Sequence, residues 1–245
     1  MKHEGYRSRI YSNYVNGRTA ALAPRSLTGL APRAPYLVRV FQRHFPGDRQ
    51  ATILDLGCGH GAVVHLARQF GYANIRGVDG SPEQVVAARR LGIEGVDGGD
   101  LLQTLASLPE ATYDCIVTFD VIEHFTRDEL IELVDEVRRV LRPGGRWIIH
   151  APNGESPFAG RMRFGDITHE LAFTRTSIAQ LLYSSSFSTV RSYEDEPIPH
   201  GVKSLLRWML WKCIRTGLRI YLAVETGDTG RDAIFSQNFL TVAVK

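Results

Sequence analysis

Cysteine is scarce in this chain. Cys58, Cys115 and Cys213 are scattered, with neither metal-ligand spacing nor an even framework. That excludes a disulfide scaffold and a zinc module, and it suits a reducing, cytoplasmic setting. No uncharged run approaches the roughly 20 residues that a membrane span needs. The N-terminus is polar, so no secretory leader is expected. Neither sign of charge dominates: the net charge is +3, too small to imply a nucleic-acid partner. No internal repeat is visible. What remains is 245 residues, 44% hydrophobic and 22% charged, enough for one full core with additions.

The richest stretch is Ile53-Leu54-Asp55-Leu56-Gly57-Cys58-Gly59-His60-Gly61. A short apolar run reads as a buried parallel strand. It meets three glycines at alternate positions, which permit a sharp turn and bring bare backbone against a ligand. Helical sequence follows from Ala62 to Phe70, so the loop sits at a strand's carboxyl end, where open α/β sheets bind ligands. The spacing is Gly-x-Gly-x-Gly, whereas a dinucleotide fingerprint wants Gly-x-Gly-x-x-Gly. Asp55 just before it would repel phosphate and suit a cation.

Further strand ends follow in order. Ile75-Arg76-Gly77-Val78-Asp79 ends in an acid about twenty residues on, placed to accept ribose hydroxyls. Gly80 and Ser81 come next, with Ser81 as N-cap and Pro82 at the first helical position. Gly98-Gly99-Asp100-Leu101 follows a third candidate strand. Tyr113 to Phe119 is a fourth, leading into Asp120-Val121-Ile122-Glu123-His124. An amphipathic helix from Arg127 to Leu141 then meets Pro143-Gly144-Gly145 and a fifth strand.

This series resembles class I S-adenosylmethionine-dependent methyltransferases, closely over about residues 51 to 151. The branch is similar to bacterial glycan and secondary-metabolite O-methyltransferases and to those of ubiquinone synthesis. The resemblance implies an α/β fold: a Rossmann-like, seven-stranded, mostly parallel sheet, helices on both faces, last strand antiparallel. It implies S-adenosyl-L-methionine held by Asp55, Gly57, Cys58, Gly59 and Gly61. Asp79, Gly80 and Ser81 would meet the ribose, Asp100 and Leu101 the adenine, and Phe119, Asp120 and Val121 would complete the wall.

Methyl transfer from a sulfonium needs alignment and removal of any acceptor proton. His124 and His169 are the candidate bases. His169 lies in Gly165-Asp166-Ile167-Thr168-His169, after the fifth strand and on the same rim. Asp120, Glu123 and His124 share a face if helical, and similar sequences hold a metal in small-RNA 2′-O-methyltransferases. A magnesium or manganese site is therefore one reading of the three, and structural hydrogen bonding another. Arg161 and Arg163 could hold an acidic acceptor. The expected acceptor is a hydroxyl of a glycan or small metabolite. A quinone-precursor phenol and a non-catalytic cofactor-binding partner subunit are the alternatives.

The expected organisation is an N-terminal helical cap (1–50, with Tyr6, Tyr11 and Tyr14), a core (51–200) with an acceptor loop (152–173), an appended helix (201–226) and a closing strand (227–245). On the appended helix, Lys203, Arg207, Lys212, Arg215 and Arg219 fall opposite an apolar side, with Trp208 and Trp211 among them. A basic, tryptophan-bearing outer side over 203–224 would suit peripheral contact with the inner membrane surface. Packing on the core or on a second subunit is the other reading.

Overall fold

The computed structural model describes residues 6–11, 23–228 and 230–245. Of the expected N-terminal cap, residues 1–5 and 12–22, Tyr14 among them, lie outside these. Chain order is α1 (Tyr6–Tyr11), a 3-10 turn (Leu27–Arg33), α2 (Ala34–His44), β1 (Ile53–Leu56), α3 (Ala62–Gln69), β2 (Ile75–Asp79), α4 (Pro82–Arg90), β3 (Val96–Gly98) and α5 (Leu101–Ser107). Then come β4 (Tyr113–Phe119), a 3-10 turn (Ile122–His124), α6 (Arg127–Val140), β5 (Leu141–Pro152), α7 (Ala159–Arg163), α8 (Arg175–Ser184), β6 (Thr189–Glu194), α9 (Val202–Thr226) and β7 (Asn238–Val244).

The seven strands lie in the order β3-β2-β1-β4-β5-β7-β6. All pair in parallel except β7, which runs antiparallel to both β5 and β6. Strand order reverses between β1 and β4, so the loops leaving their carboxyl ends diverge and open a crevice. Both sheet faces are covered, which is why β1 and β4 read as continuous apolar runs. Ile53, Cys115, Val117 and Ile148 pack under α2 and α3. Leu54, Ile116, Trp147 and Ile149 pack under α6 and α8. The buried Trp147 indole donates to Thr118 Oγ1 at 3.0 Å, so this large side chain leaves no polar atom unmet.

Local sequence sets the boundaries. Thr126 and Glu129 form a reciprocal capping box that starts α6. Thr174 and Ser177 do the same for α8. Ser81 stands at the N-cap of α4 but makes no capping bond; its hydroxyl donates to the Tyr11 carbonyl at 3.2 Å. That bond ties α1 to the ligand-binding edge.

The 25-residue α9 departs in part from the sequence expectation: Lys203 and Arg207 are exposed, but Lys212 and Arg215 are not free. Arg215 pairs with Glu194 and Lys212 with Glu196, which also takes Arg39 at 2.9 Å. The two glutamates at the end of β6 turn these cations inward. Trp208 and Trp211 are half-buried on the same side. The outward side is the apolar one: Leu206, Met209, Leu210, Ile214, Ile220, Tyr221 and Val224 are all more than half exposed. No helix among the described residues is long and apolar enough to cross a membrane.

Candidate active site

The loop after β1 can be built only from glycine at its turns. Gly57, Gly59 and Gly61 have φ of +70°, +55° and +82°, which L side chains rarely adopt. A Cβ on Gly57 would lie 2.4 Å from Val121, and one on Gly61 2.8 Å from Val96. Gly61 is therefore a packing turn and is not on the cavity wall, whereas Gly57, Cys58 and Gly59 are. Asp79 locks the loop: it accepts from the Gly59 amide at 2.7 Å and the Ser81 amide at 2.8 Å. Burial raises its pKa, and those two amides oppose the rise.

A cavity of about 830 Å³ runs over this loop. Of the cofactor residues expected from sequence, Asp55, Gly57, Cys58, Gly59, Asp79, Gly80, Ser81, Asp100, Leu101, Phe119, Asp120 and Val121 line it. Asp55 is buried, and neither carboxylate oxygen has a hydrogen-bond partner. Burial, with the nearby Asp79 charge, pushes its pKa up to about 8. Asp100 caps α5 through Oδ1, which accepts from the Gln103 amide at 2.9 Å. Arg33, Tyr36, His60 and Gln84 also line the cavity and were not foreseen. Burial, aided by the Arg33 charge, lowers the His60 pKa, and the neighbouring Gln84 side chain opposes the fall. The place of His60 inside the glycine loop was a usable signal; Arg33 and Tyr36 gave none in the sequence.

The expected Asp120, Glu123 and His124 face does not form. Asp120 precedes the 3-10 turn with φ of +56°, and its carboxylate turns to His150 Nδ1 at 2.8 Å. His169 takes its place: Glu123, His124 and His169 offer ligand atoms all within 4.8 Å of one another. The two rings lie edge to face, 4.7 Å apart. Glu123 is fully buried and neither carboxylate oxygen is hydrogen-bonded, although Oε1 lies 3.9 Å from His169 Nε2. Burial first, then the Asp120 charge, raises its pKa well above the usual carboxylate range. Its backbone carbonyl accepts from the Glu170 and Leu171 amides at 2.8 and 3.0 Å, which pins the His169 segment to the turn.

Both imidazoles are oriented from behind. The Thr168 hydroxyl donates to Asp166 Oδ1 at 2.7 Å, so the Thr168 oxygen accepts from His124 Nδ1–H at 2.8 Å. His169 Nδ1–H donates to the Met162 carbonyl at 2.9 Å. In each neutral ring the lone pair is then on Nε2. Arg163 donates to the His169 and Glu170 carbonyls, so its guanidinium holds the loop rather than an acidic acceptor. Arg161 is absent from the cavity wall.

A family model for a methyltransferase domain matches residues 53–145. A protein of Mycolicibacterium smegmatis named as a probable S-adenosylmethionine-dependent methyltransferase is 30% identical over 168 residues, covering 66% of this chain and 63% of that one. An uncharacterized methyltransferase of Synechocystis is 31% identical over 158 residues, 60% of this chain and 70% of that one. The chain belongs to the S-adenosylmethionine-dependent methyltransferases. An S-adenosylmethionine-dependent methyltransferase structure from Archaeoglobus fulgidus superposes with a TM-score of 0.66, at 18% identity, over 99% of this chain and 100% of that one. That likeness establishes the shared fold. The chain spans less than two thirds of the length of the mycobacterial relative it matches.

The residues present fit the family's cofactor. Asp55 presents two buried oxygens that lack a donor, suited to an ammonium. Arg33 supplies a cation for a carboxylate on the same wall. Bound there, the sulfonium would supply an activated methyl group.

Proposed function

We propose that this methyltransferase moves the methyl group of S-adenosylmethionine to a hydroxyl of a glycan or small metabolite. The observation that carries this is His124, on the cavity wall, with its tautomer set through Thr168 and Asp166. An oxygen acceptor must lose its proton as the bond to carbon forms, and an imidazole can take that proton near neutral pH. Asp55, Asp79 and Asp100 hold the donor, and the glycine loop aligns it. His124 Nε2 receives the acceptor proton. His169 stands beside His124, with its Nε2 3.9 Å from Glu123 Oε1. Incubation with methyl-labelled donor and a panel of methyl glycosides, catechols and amines tests the reading. Labelled ethers support it; labelled amines alone would overturn it. A matched relative, the norajmaline N-methyltransferase of Rauvolfia serpentina, makes the amine arm necessary (33% identical over 130 residues, 48% of this chain and 42% of that one). Donor binding with no labelled product would leave the non-catalytic partner reading.

A second reading rests on the Glu123, His124 and His169 cluster. Two imidazoles and a carboxylate suit manganese, iron or zinc better than magnesium. Adjacent ligands on one ion lie about 3 Å apart, given metal–ligand bonds of about 2.1 Å. Here the ligand atoms lie within 4.8 Å of one another, with Glu123 Oε1 3.9 Å from His169 Nε2, looser than a closed ion site, and the base reading needs no ion. Exhaustive chelation should therefore leave turnover unchanged. Loss of activity, restored by manganese, would make these three residues ligands.

The proposal includes peripheral contact of α9 (203–224) with a lipid surface, now through its outward apolar side. Because Lys212 and Arg215 are already paired with Glu196 and Glu194, leaving Lys203 and Arg207 exposed, flotation with phosphatidylglycerol vesicles should depend only weakly on salt. Met209→Glu should abolish it. Strong salt sensitivity would point back to a basic contact surface.

A further inference from the structure

We propose that Tyr36, Asp120, Asp195 and Asn238 form a recognition subsite for a neutral, polyhydroxylated ring, a sugar rather than an anionic phenol. The inference rests on the hydroxyl-methylation reading and names its substrate class. All four residues line the cavity, and His150 lies between the two acids. His150 sits at the end of β5, with Nδ1 on Asp120 Oδ1 at 2.8 Å and Nε2 on Asp195 Oδ2 at 3.3 Å. Burial disfavours its charge, yet the Asp120 carboxylate and the bonds to both acids outweigh that and push its pKa up to about 10. One imidazolium is thus held between the two acids, and each acid keeps an oxygen that can accept from a ligand O–H, which a ligand carboxylate cannot offer. Arg33, on the same cavity wall, also acts on Asp120.

The hydrogen-bonding groups point to the same chemistry. Tyr36 Oη and Asn238 Oδ1 are buried and have no partner. Each acid commits one oxygen to His150, and the second oxygen of each has no protein donor. A buried polar group is normally satisfied, so Tyr36 Oη and Asn238 Oδ1 call for a ligand partner, and the open oxygens of Asp120 and Asp195 add acceptors for a ligand rich in O–H donors. Phe119 stacks on His150 at 5.2 Å, and Tyr36 meets both rings edge-on. Such an aromatic corner packs against the C–H face of a sugar ring.

The test loads the full chain with S-adenosylhomocysteine. It is then titrated with the methyl glycosides of glucose, galactose, mannose and rhamnose, with methyl glucuronoside, and with tyramine. At least one neutral glycoside should bind, and the glucuronoside should bind about tenfold more weakly than its neutral counterpart, about 1.4 kcal/mol. Tyr36→Phe and Asn238→Leu should each weaken glycoside binding about fivefold, the loss of one hydrogen bond, without moving S-adenosylhomocysteine affinity. Asp195→Asn should narrow the gap between neutral and acidic sugar. Tighter binding of the glucuronoside or of tyramine, no binding by any neutral glycoside, or variants that change only S-adenosylhomocysteine affinity would overturn the subsite. If a glycoside binds here but receives no label, the subsite stands and hydroxyl methylation fails. If catechols are labelled while no glycoside binds, methylation stands and the subsite fails.

Discussion

S-adenosylhomocysteine should bind about tenfold more tightly for each pH unit gained from about pH 5 to about pH 8, releasing one proton. The reason is Asp55. Its carboxyl is buried without a donor and titrates at about 8 in the folded, ligand-free protein. Below that pH the group is neutral, and an ammonium must displace its proton to gain a charged partner. Above it the carboxylate is already present, so the gain levels off. Calorimetry in two buffers of different ionisation enthalpy counts the proton directly. Asp55→Asn should flatten the pH dependence. A flat profile in the unsubstituted protein would place the ammonium elsewhere.

Stability of the ligand-free protein should run the other way. An unfolded aspartate titrates near about 3.9. The folded state therefore binds the Asp55 proton more tightly than the unfolded state. Its stabilising effect is complete below about pH 4 and is lost as pH rises toward about 8. Ligand-free protein should melt at a lower temperature at pH 8 than at pH 5, and the cofactor product should shrink that difference.

The fold was legible because its signals are local. Asp55 and the three glycines occupy consecutive positions, and their spacing reports a backbone that only glycine adopts at +70°, +55° and +82°. The caps at Thr126 and Thr174 lie within three residues of their partners. Legibility ended where a side chain's partner is distant in sequence. Asp120 was assigned to a helical face with Glu123 and His124, but a left-handed backbone sends it to His150, thirty residues on. His150 itself lies within β5, where nothing local marks it off from the buried strand around it. On α9 the sequence shows two unlike sides and does not say which faces out; Glu194 and Glu196 decide it. His169 lies beside His124 because strand order brings the two loops together, but it is not on the cavity wall.

Replacing His124 with alanine should lower kcat by about 10² to 10⁴, the usual weight of a general base, and leave S-adenosylhomocysteine affinity unchanged. The ring lines the cavity beyond the 3-10 turn that follows β4. Thr168→Val removes the acceptor that fixes the Nδ1 proton while preserving the ring, so it should give a smaller loss. His169→Ala discriminates further. If His169 only supports the cluster, its loss is smaller than that of His124 and donor binding persists. If His169 were the base, the two magnitudes would be reversed. Full turnover in both single variants would remove the imidazoles from the chemistry and leave alignment of donor and acceptor as the chain's whole contribution.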